Sequence, residues 1–240
     1  MADETVTPSV ASAEPLVTRE FAGIVVPCVG LLIALVLPQL PIGRLAASAT
    51  SRLGLGPLGR GAIAIPFAIT AILLVYILLV ERRSVSSIGL RLPTWKSLTF
   101  GIAVAVILVV GAVVTIFVVF PALHRRTSQA AIDNLLSTPW WFRLLRATGA
   151  AVFEEVCFRG YTIERVQELT GRKWIALVVS VAAFTYSHVS YFGWAYLIFV
   201  GFGGVVLGLY YIWRRDLASN MVAHFLTDGA LALWIARWAS

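Results

Sequence analysis

The chain has 240 residues, 59% of them hydrophobic and 13% charged, with a mean hydropathy of +0.87 and a formal net charge of +7. Soluble domains run nearer to roughly 45–50% apolar and about 25% charged, and disordered chains need low hydrophobicity, so the composition argues against both. The cations sit between apolar runs, at Arg82-Arg83, Arg125-Arg126, Arg172-Lys173 and Arg214-Arg215. That placement fits the surface of a lipid bilayer. No basic stripe is interleaved with base-stacking aromatics, so nucleic acid is not an expected partner. Cys28 and Cys157 are too few for a disulfide framework.

Residues 1–20, rich in Ser, Thr, Pro and acid, read as a disordered N-terminal tail. Asp3 and Glu4 stand where a signal peptide would be basic, so the tail is expected to stay on the protein. The rest, 21–240, reads as one transmembrane domain. Its spans are judged against the ~20 apolar residues needed to cross a bilayer core. Phe21 to Gly43 is the first span, with a kink expected at Pro27. A Gly- and Pro-bearing loop covers 44–60, and Gly61 to Val80 is the second span, stopped by Glu81-Arg82-Arg83. Ser87 to Trp95 is a short basic and aromatic interfacial segment.

Ser97 to Leu123 is the third span; its Val and Ile would favour strand in water, but in lipid a lone span must satisfy its own backbone as a helix. Thr138-Pro139 opens a further helix, with Thr as N-cap and Pro in the first turn, and Gly171 stops it. From Trp174 to Trp213 the only ionisable side chain besides tyrosines is His188; a break at 190–193 divides this run into two helices. Gly201, Gly203, Gly204 and Gly208 mark close helix packing. The last span runs from Leu217 to about Trp238. The expected fold is therefore all-α, a polytopic transmembrane bundle of about seven helices (six to eight) around a polar intramembrane cavity. The cations slightly favour a cytoplasmic N-terminus.

Titratable groups inside spans are expensive, at least ~2.5–3.5 kcal/mol each on insertion scales, so each asks for a reason. The Glu154-Glu155 pair, His188, and His224 with Asp228 lie on three different helices. Glu155 and Arg159 are spaced i,i+4 and can pair along one face, as can His224 and Asp228; Glu154 points about 100° away from Glu155. Each feature has a structural reading: a neutralised ion pair, an interfacial histidine, or a hydrogen bond gluing two helices. Gathering Glu154, His188 and His224 around one wet cavity explains all of them together. A carboxylate with imidazoles is equipment for activating water, with or without a metal.

At these residues the chain resembles a known family. Glu154-Glu155-Val-Cys-Phe-Arg159 matches EExxxR, Phe184-Thr-Tyr-Ser-His188 matches FxxxH, and His224-Phe-Leu-Thr-Asp228 matches HxxxN/D. In that order they are similar to the motifs of the CPBP (ABI) intramembrane proteases, which include the type II CAAX prenyl endopeptidases. The motif core covers about 139–232, and the Ile88-Gly-Leu-Arg stretch is also similar to the family. The resemblance implies a glutamate-type membrane endopeptidase without cofactor or metal. In it Glu154 is the general base, His188 holds the attacking water, and His224 with Asp228 stabilises the oxyanion. Glu155, Arg159 and Phe184 support the site. The prenyl-protease branch has Asn at position 228, and an ionised Asp cannot donate a hydrogen bond.

The implied substrate is a membrane-associated peptide or protein, CAAX-like or a secreted peptide precursor, and the implied location is a bacterial cell membrane. Two other readings use the same residues. Two His and a Glu are legal zinc ligands for a zinc-dependent membrane protease, although no HExxH is present. Intramembrane Glu, His and Asp can also serve a proton-coupled transporter or a non-enzymatic immunity protein, but no repeated halves of the transporter kind are found.

Overall fold

In this computed structural model residues 16–40, 60–125, 133, 136–189 and 194–238 are described. Among them the chain is helical throughout, without strands. Helix α1 is Leu16–Leu35 and contains Pro27. It begins inside the stretch whose composition reads as tail, so the boundary lies five residues earlier than expected. Helix α2 is Arg60–Val75, prolonged by a π turn at Tyr76–Val80. The Tyr76 hydroxyl donates to the Val26 carbonyl at 2.7 Å and ties α2 to α1 near the proline. The expected break at 190–193 and nearly all of the loop 44–60 lie outside the described residues.

Helix α3 is Trp95–Val114, continued through a π turn at Thr115–Val119 to Phe120–Ala122. A capping box starts it: Thr94 Oγ1 accepts from the Ser97 amide and Ser97 Oγ accepts from the Thr94 amide, both at 3.1 Å. Helix α4 is Trp140–Glu154, then a π segment Glu155–Ile163, then Glu164–Thr170. Its start corrects the reading of Thr138: Pro139 is the N-cap and no side chain caps it. Instead the Thr138 carbonyl takes the Arg143 Nε hydrogen at 2.9 Å. Its end is as expected, with Gly171 in the left-handed region at φ +69°. Helices α5 (Lys173–Ser187), α6 (Leu197–Arg214) and α7 (Leu217–Trp238) complete the bundle.

Seven helices are thus present among the described residues, but they are not equally apolar. Trp95–Ala122 and Leu197–Arg214, of 28 and 18 residues, are long and apolar enough to cross a membrane. Gly23–Gln39, Ala64–Val80 and Lys173–Ser187 are apolar but shorter, and α4 and α7 carry charged or polar groups in mid-helix. Along α3, Ile102, Val106, Ile107, Val110, Phe117 and Val118 all face outward and are exposed.

The second half of α4 runs through the centre. Every residue from Glu155 to Ile163 is buried, packed with Leu73 and Ile77 of α2, Phe184 of α5, Tyr211 of α6 and Leu217 of α7. Close approaches fix the surrounding helices. The Gly89 carbonyl accepts the Leu217 amide at 3.0 Å, and Gly89 itself is left-handed at φ +73°, where a side chain would also meet the Tyr211 hydroxyl. Gly204 and Gly208 let α6 lie directly on Val181, Phe184 and Leu177 of α5, the packing role expected of that glycine stripe.

Candidate active site

Three helices supply the site, and the π segment of α4 sets its geometry. An i→i+5 turn widens the helix and releases carbonyls from the ordinary ladder. Two are taken up by hydroxyls: Thr162 Oγ1 donates to the Cys157 carbonyl at 2.8 Å, and Ser180 Oγ of α5 donates to the Phe158 carbonyl at 2.7 Å. The wide turn begins at Glu155, one residue after Glu154, so the two adjacent carboxylates serve different surroundings.

Glu155 is fully buried and held from several sides. Its Oε1 accepts from Arg159 Nη1 at 2.9 Å and lies 2.8 Å from His224 Nδ1; its Oε2 accepts from Asn220 Nδ2 at 3.1 Å. A carboxylate paired with arginine is an acceptor, so Nδ1 of His224 carries the hydrogen and donates it. Arg159 lies over the Phe184 ring, its Cζ 4.0 Å from the centroid, a cation–π contact inside a desolvated core. The same ring flanks both imidazoles, with centroids 4.8 Å from His188 and 6.3 Å from His224. Phe184 thus packs against Arg159 and both imidazoles.

Glu154 faces the other way, as its position on the helix demands. Its Oε1 stands 3.9 Å from His188 Nε2 and its Oε2 stands 3.6 Å from His224 Nε2. These are ion-pair separations, too long for direct hydrogen bonds, and the buried Oε2 has no hydrogen-bond partner among the described residues. His188 Nδ1 is 2.9 Å from the Phe184 carbonyl and 3.1 Å from Ser187 Oγ. A carbonyl only accepts, so here too Nδ1 carries the hydrogen and Nε2 is turned to Glu154. Asp228 stands one turn beyond His224, its Oδ2 3.5 Å from Nε2, with a side chain 39% exposed. It sits at the mouth of the cluster.

All seven residues singled out from sequence (Glu154, Glu155, Arg159, Phe184, His188, His224 and Asp228) are therefore in one place. The sequence reading missed Asn220, which is completely buried and bonds both Glu155 and the Leu207 carbonyl, the latter at 2.9 Å. A signal was available: an asparagine one turn before His224 in a largely apolar helix. It also missed Ser180, whose role depends on a π carbonyl invisible in sequence. Among the described residues no three His, Cys, Asp or Glu side chains are disposed to hold a metal ion.

A carboxylate flanked by two oriented imidazoles at the mouth of a helical bundle has the equipment of a water-activating hydrolase. Residues 136–230 match the family model described as type II CAAX prenyl endopeptidase Rce1-like. All three motifs fall inside that stretch, so over these residues the chain is similar to the type II CAAX prenyl endopeptidases. No curated protein and no solved structure matches the chain.

Proposed function

We propose that the protein is a polytopic intramembrane endopeptidase that hydrolyses a peptide bond of a membrane-associated substrate with water activated by Glu154. One observation carries the reading: His188 and His224, each with Nδ1 engaged, both turn Nε2 toward the two oxygens of Glu154, at 3.9 and 3.6 Å. The unprotonated Nε2 of His188 and the Glu154 carboxylate are both acceptors, and acceptors converge stably only around hydrogens. A water molecule seated beside these atoms supplies them.

In the proposed reaction Glu154 takes a proton from that water while its oxygen bonds to the scissile carbonyl carbon. His188 holds the water in line. The carbonyl oxygen becomes an oxyanion, for which His224 Nε2 is the donor. To donate there while Nδ1 is engaged with Glu155, His224 must carry both ring protons. A carboxylate near each nitrogen, Glu155 at one and Asp228 at the other, neutralises that charge. Collapse of the intermediate breaks the C–N bond, and Glu154 returns its proton to the leaving amine. No metal or cofactor takes part in this proposal.

The similarity to type II CAAX prenyl endopeptidases supports the substrate class proposed: a prenylated CAAX-like protein or a membrane-bound peptide precursor. The exposed apolar face of α3 supports residence in a bilayer, since an outward face of that kind is what lipid requires. The N-terminus is proposed to be cytoplasmic, in a bacterial cell membrane. A cleavage assay on a peptide library, run with the native chain and with Glu154→Gln, tests the function. The variant should insert and fold normally, because Oε2 gives up no hydrogen bond, yet lose ~10²–10⁴-fold in turnover. Retention of more than about a tenth of native activity would remove Glu154 from the role of base.

A further inference from the structure

We infer that Asn220 is a positioning residue of this site, acting on His224 through Glu155. Its amide is fully buried, and the two groups around its nitrogen are both acceptors: the Leu207 carbonyl of α6 at 2.9 Å and Glu155 Oε2 at 3.1 Å. That fixes which end of the amide is nitrogen, because the flipped amide would set its oxygen against a carbonyl and a carboxylate. One N–H is anchored on a helical backbone that cannot move, and the other is aimed at the carboxylate. The cost is visible at the other end of the same side chain, where Asn220 Oδ1 is buried without a hydrogen-bond partner among the described residues. A side chain kept only to pack α7 against α6 would not need an orphaned acceptor.

The effect of this clamp follows from what Glu155 does. Arg159 and His224 both draw on Oε1, so without a donor on Oε2 the carboxylate is free to turn about its terminal bond. Once it turns, His224 Nδ1–H loses its partner and the ring is free to rotate about its Cβ–Cγ bond. Its Nε2–H would then no longer be aimed beside Glu154, and the alignment of both imidazoles on one carboxylate would be lost. The charged and titratable groups facing His224 are Glu154, Glu155 and Arg159 from α4, His188 from α5 and Asp228 from α7. Asn220 is the neutral member of this set that determines where Glu155 points.

The kinetic part of this inference rests on the endopeptidase reading; the ring-orientation part does not. The experiment uses the full chain in lipid nanodiscs, comparing native protein with Asn220→Leu, which keeps the volume and removes the amide. Asn220→Ser, whose single hydroxyl hydrogen cannot serve both acceptors, is the second variant should Leu fail to fold. With ring-15N histidine, the native chain should show a slowly exchanging His224 Nδ1–H signal, assigned by its loss in His224→Gln. Either folded Asn220 variant should lose or broaden that signal. On a cleaved peptide, kcat should fall tenfold or more while KM stays within twofold. A variant that keeps both the sharp Nδ1–H signal and more than half of native kcat overturns the proposal, as does a fall confined to melting temperature. If no peptide is cleaved by the native chain, the endopeptidase reading fails, while the Nδ1–H comparison still decides the role of Asn220.

Discussion

Glu155 and His224 form the tightest link between the buried ion pair and the open side of the cluster: Oε1 and Nδ1 are 2.8 Å apart, with Arg159 2.9 Å from the same oxygen. One carboxylate therefore neutralises an arginine and orients an imidazole together. Its neighbour Glu154, one residue back, does neither. The division of labour between two adjacent glutamates comes from where their side chains leave the helix.

Replacing Glu155 by Gln should damage both stability and turnover. The amide oxygen can still serve Arg159 and His224, but the amide nitrogen then faces Asn220 Nδ2, a donor against a donor. Arg159 is left buried without a counter-charge, a kind of loss worth about 3–5 kcal/mol. Detergent melting curves should show that destabilisation, and kcat of the folded fraction should also drop. A variant with native melting and native kcat would show that the charge on Glu155 is dispensable.

Asp228→Asn should retain substantial activity, whereas Asp228→Ala should lose most of it. Asp228 faces Nε2 of His224 from 3.5 Å and is partly exposed, so an amide of the same shape fits without a buried charge being stranded. Ala removes the partner altogether, at a cost of about 1–3 kcal/mol, or roughly five- to 150-fold in rate. Cleavage rates of both variants across pH, with folding checked by circular dichroism, give the answer. Equal inactivity of Asn and Ala would mean that a negative charge at 228 is obligatory and would move it from oxyanion stabilisation to proton transfer.

Turnover should survive exhaustive chelation, and elemental analysis of the purified chain should find well below one metal per molecule. The proposed water is activated by proton transfer to Glu154, which requires no Lewis acid. Stoichiometric zinc whose removal abolishes cleavage and whose return restores it would replace this mechanism by a zinc protease.

Val110→Arg, on the exposed face of α3, distinguishes a lipid setting from an aqueous one. In a bilayer a mid-span arginine costs about 2.5–3.5 kcal/mol of insertion; on a water-facing surface the same change stays within about 0.5 kcal/mol. Insertion of the helix 95–122 measured in a translocation assay should fall accordingly, and an unchanged insertion would count against α3 as a span.

Much of this protein is legible in its amino-acid sequence. Apolar runs separated by cations mark where helices lie, because burial of apolar area is nearly local along the chain, and α7 covers the stretch from Leu217 to Trp238 expected of the last helix. Glu154, His188, His224 and Asp228 stand out because a titratable group in an apolar helix is costly wherever the helix packs. Helix spacing alone pairs Glu155 with Arg159 and His224 with Asp228.

What only the tertiary structure decided depends on contacts between helices. The π segment at 155–163 is held open by Ser180 from α5 as well as by Thr162 from α4, and no periodicity records a carbonyl waiting for a hydroxyl from another helix. Thr138 is a residue of capping type, yet its part at the start of α4 is to accept from Arg143. Asn220 is by type one more polar residue in a helix; folding sets it between Leu207 and Glu155, 13 and 65 residues away. Residue type limits the chemistry each side chain can offer. Which partner it meets, and therefore whether a histidine is aimed or idle, is set by hydrogen bonds formed only when α4, α6 and α7 pack together.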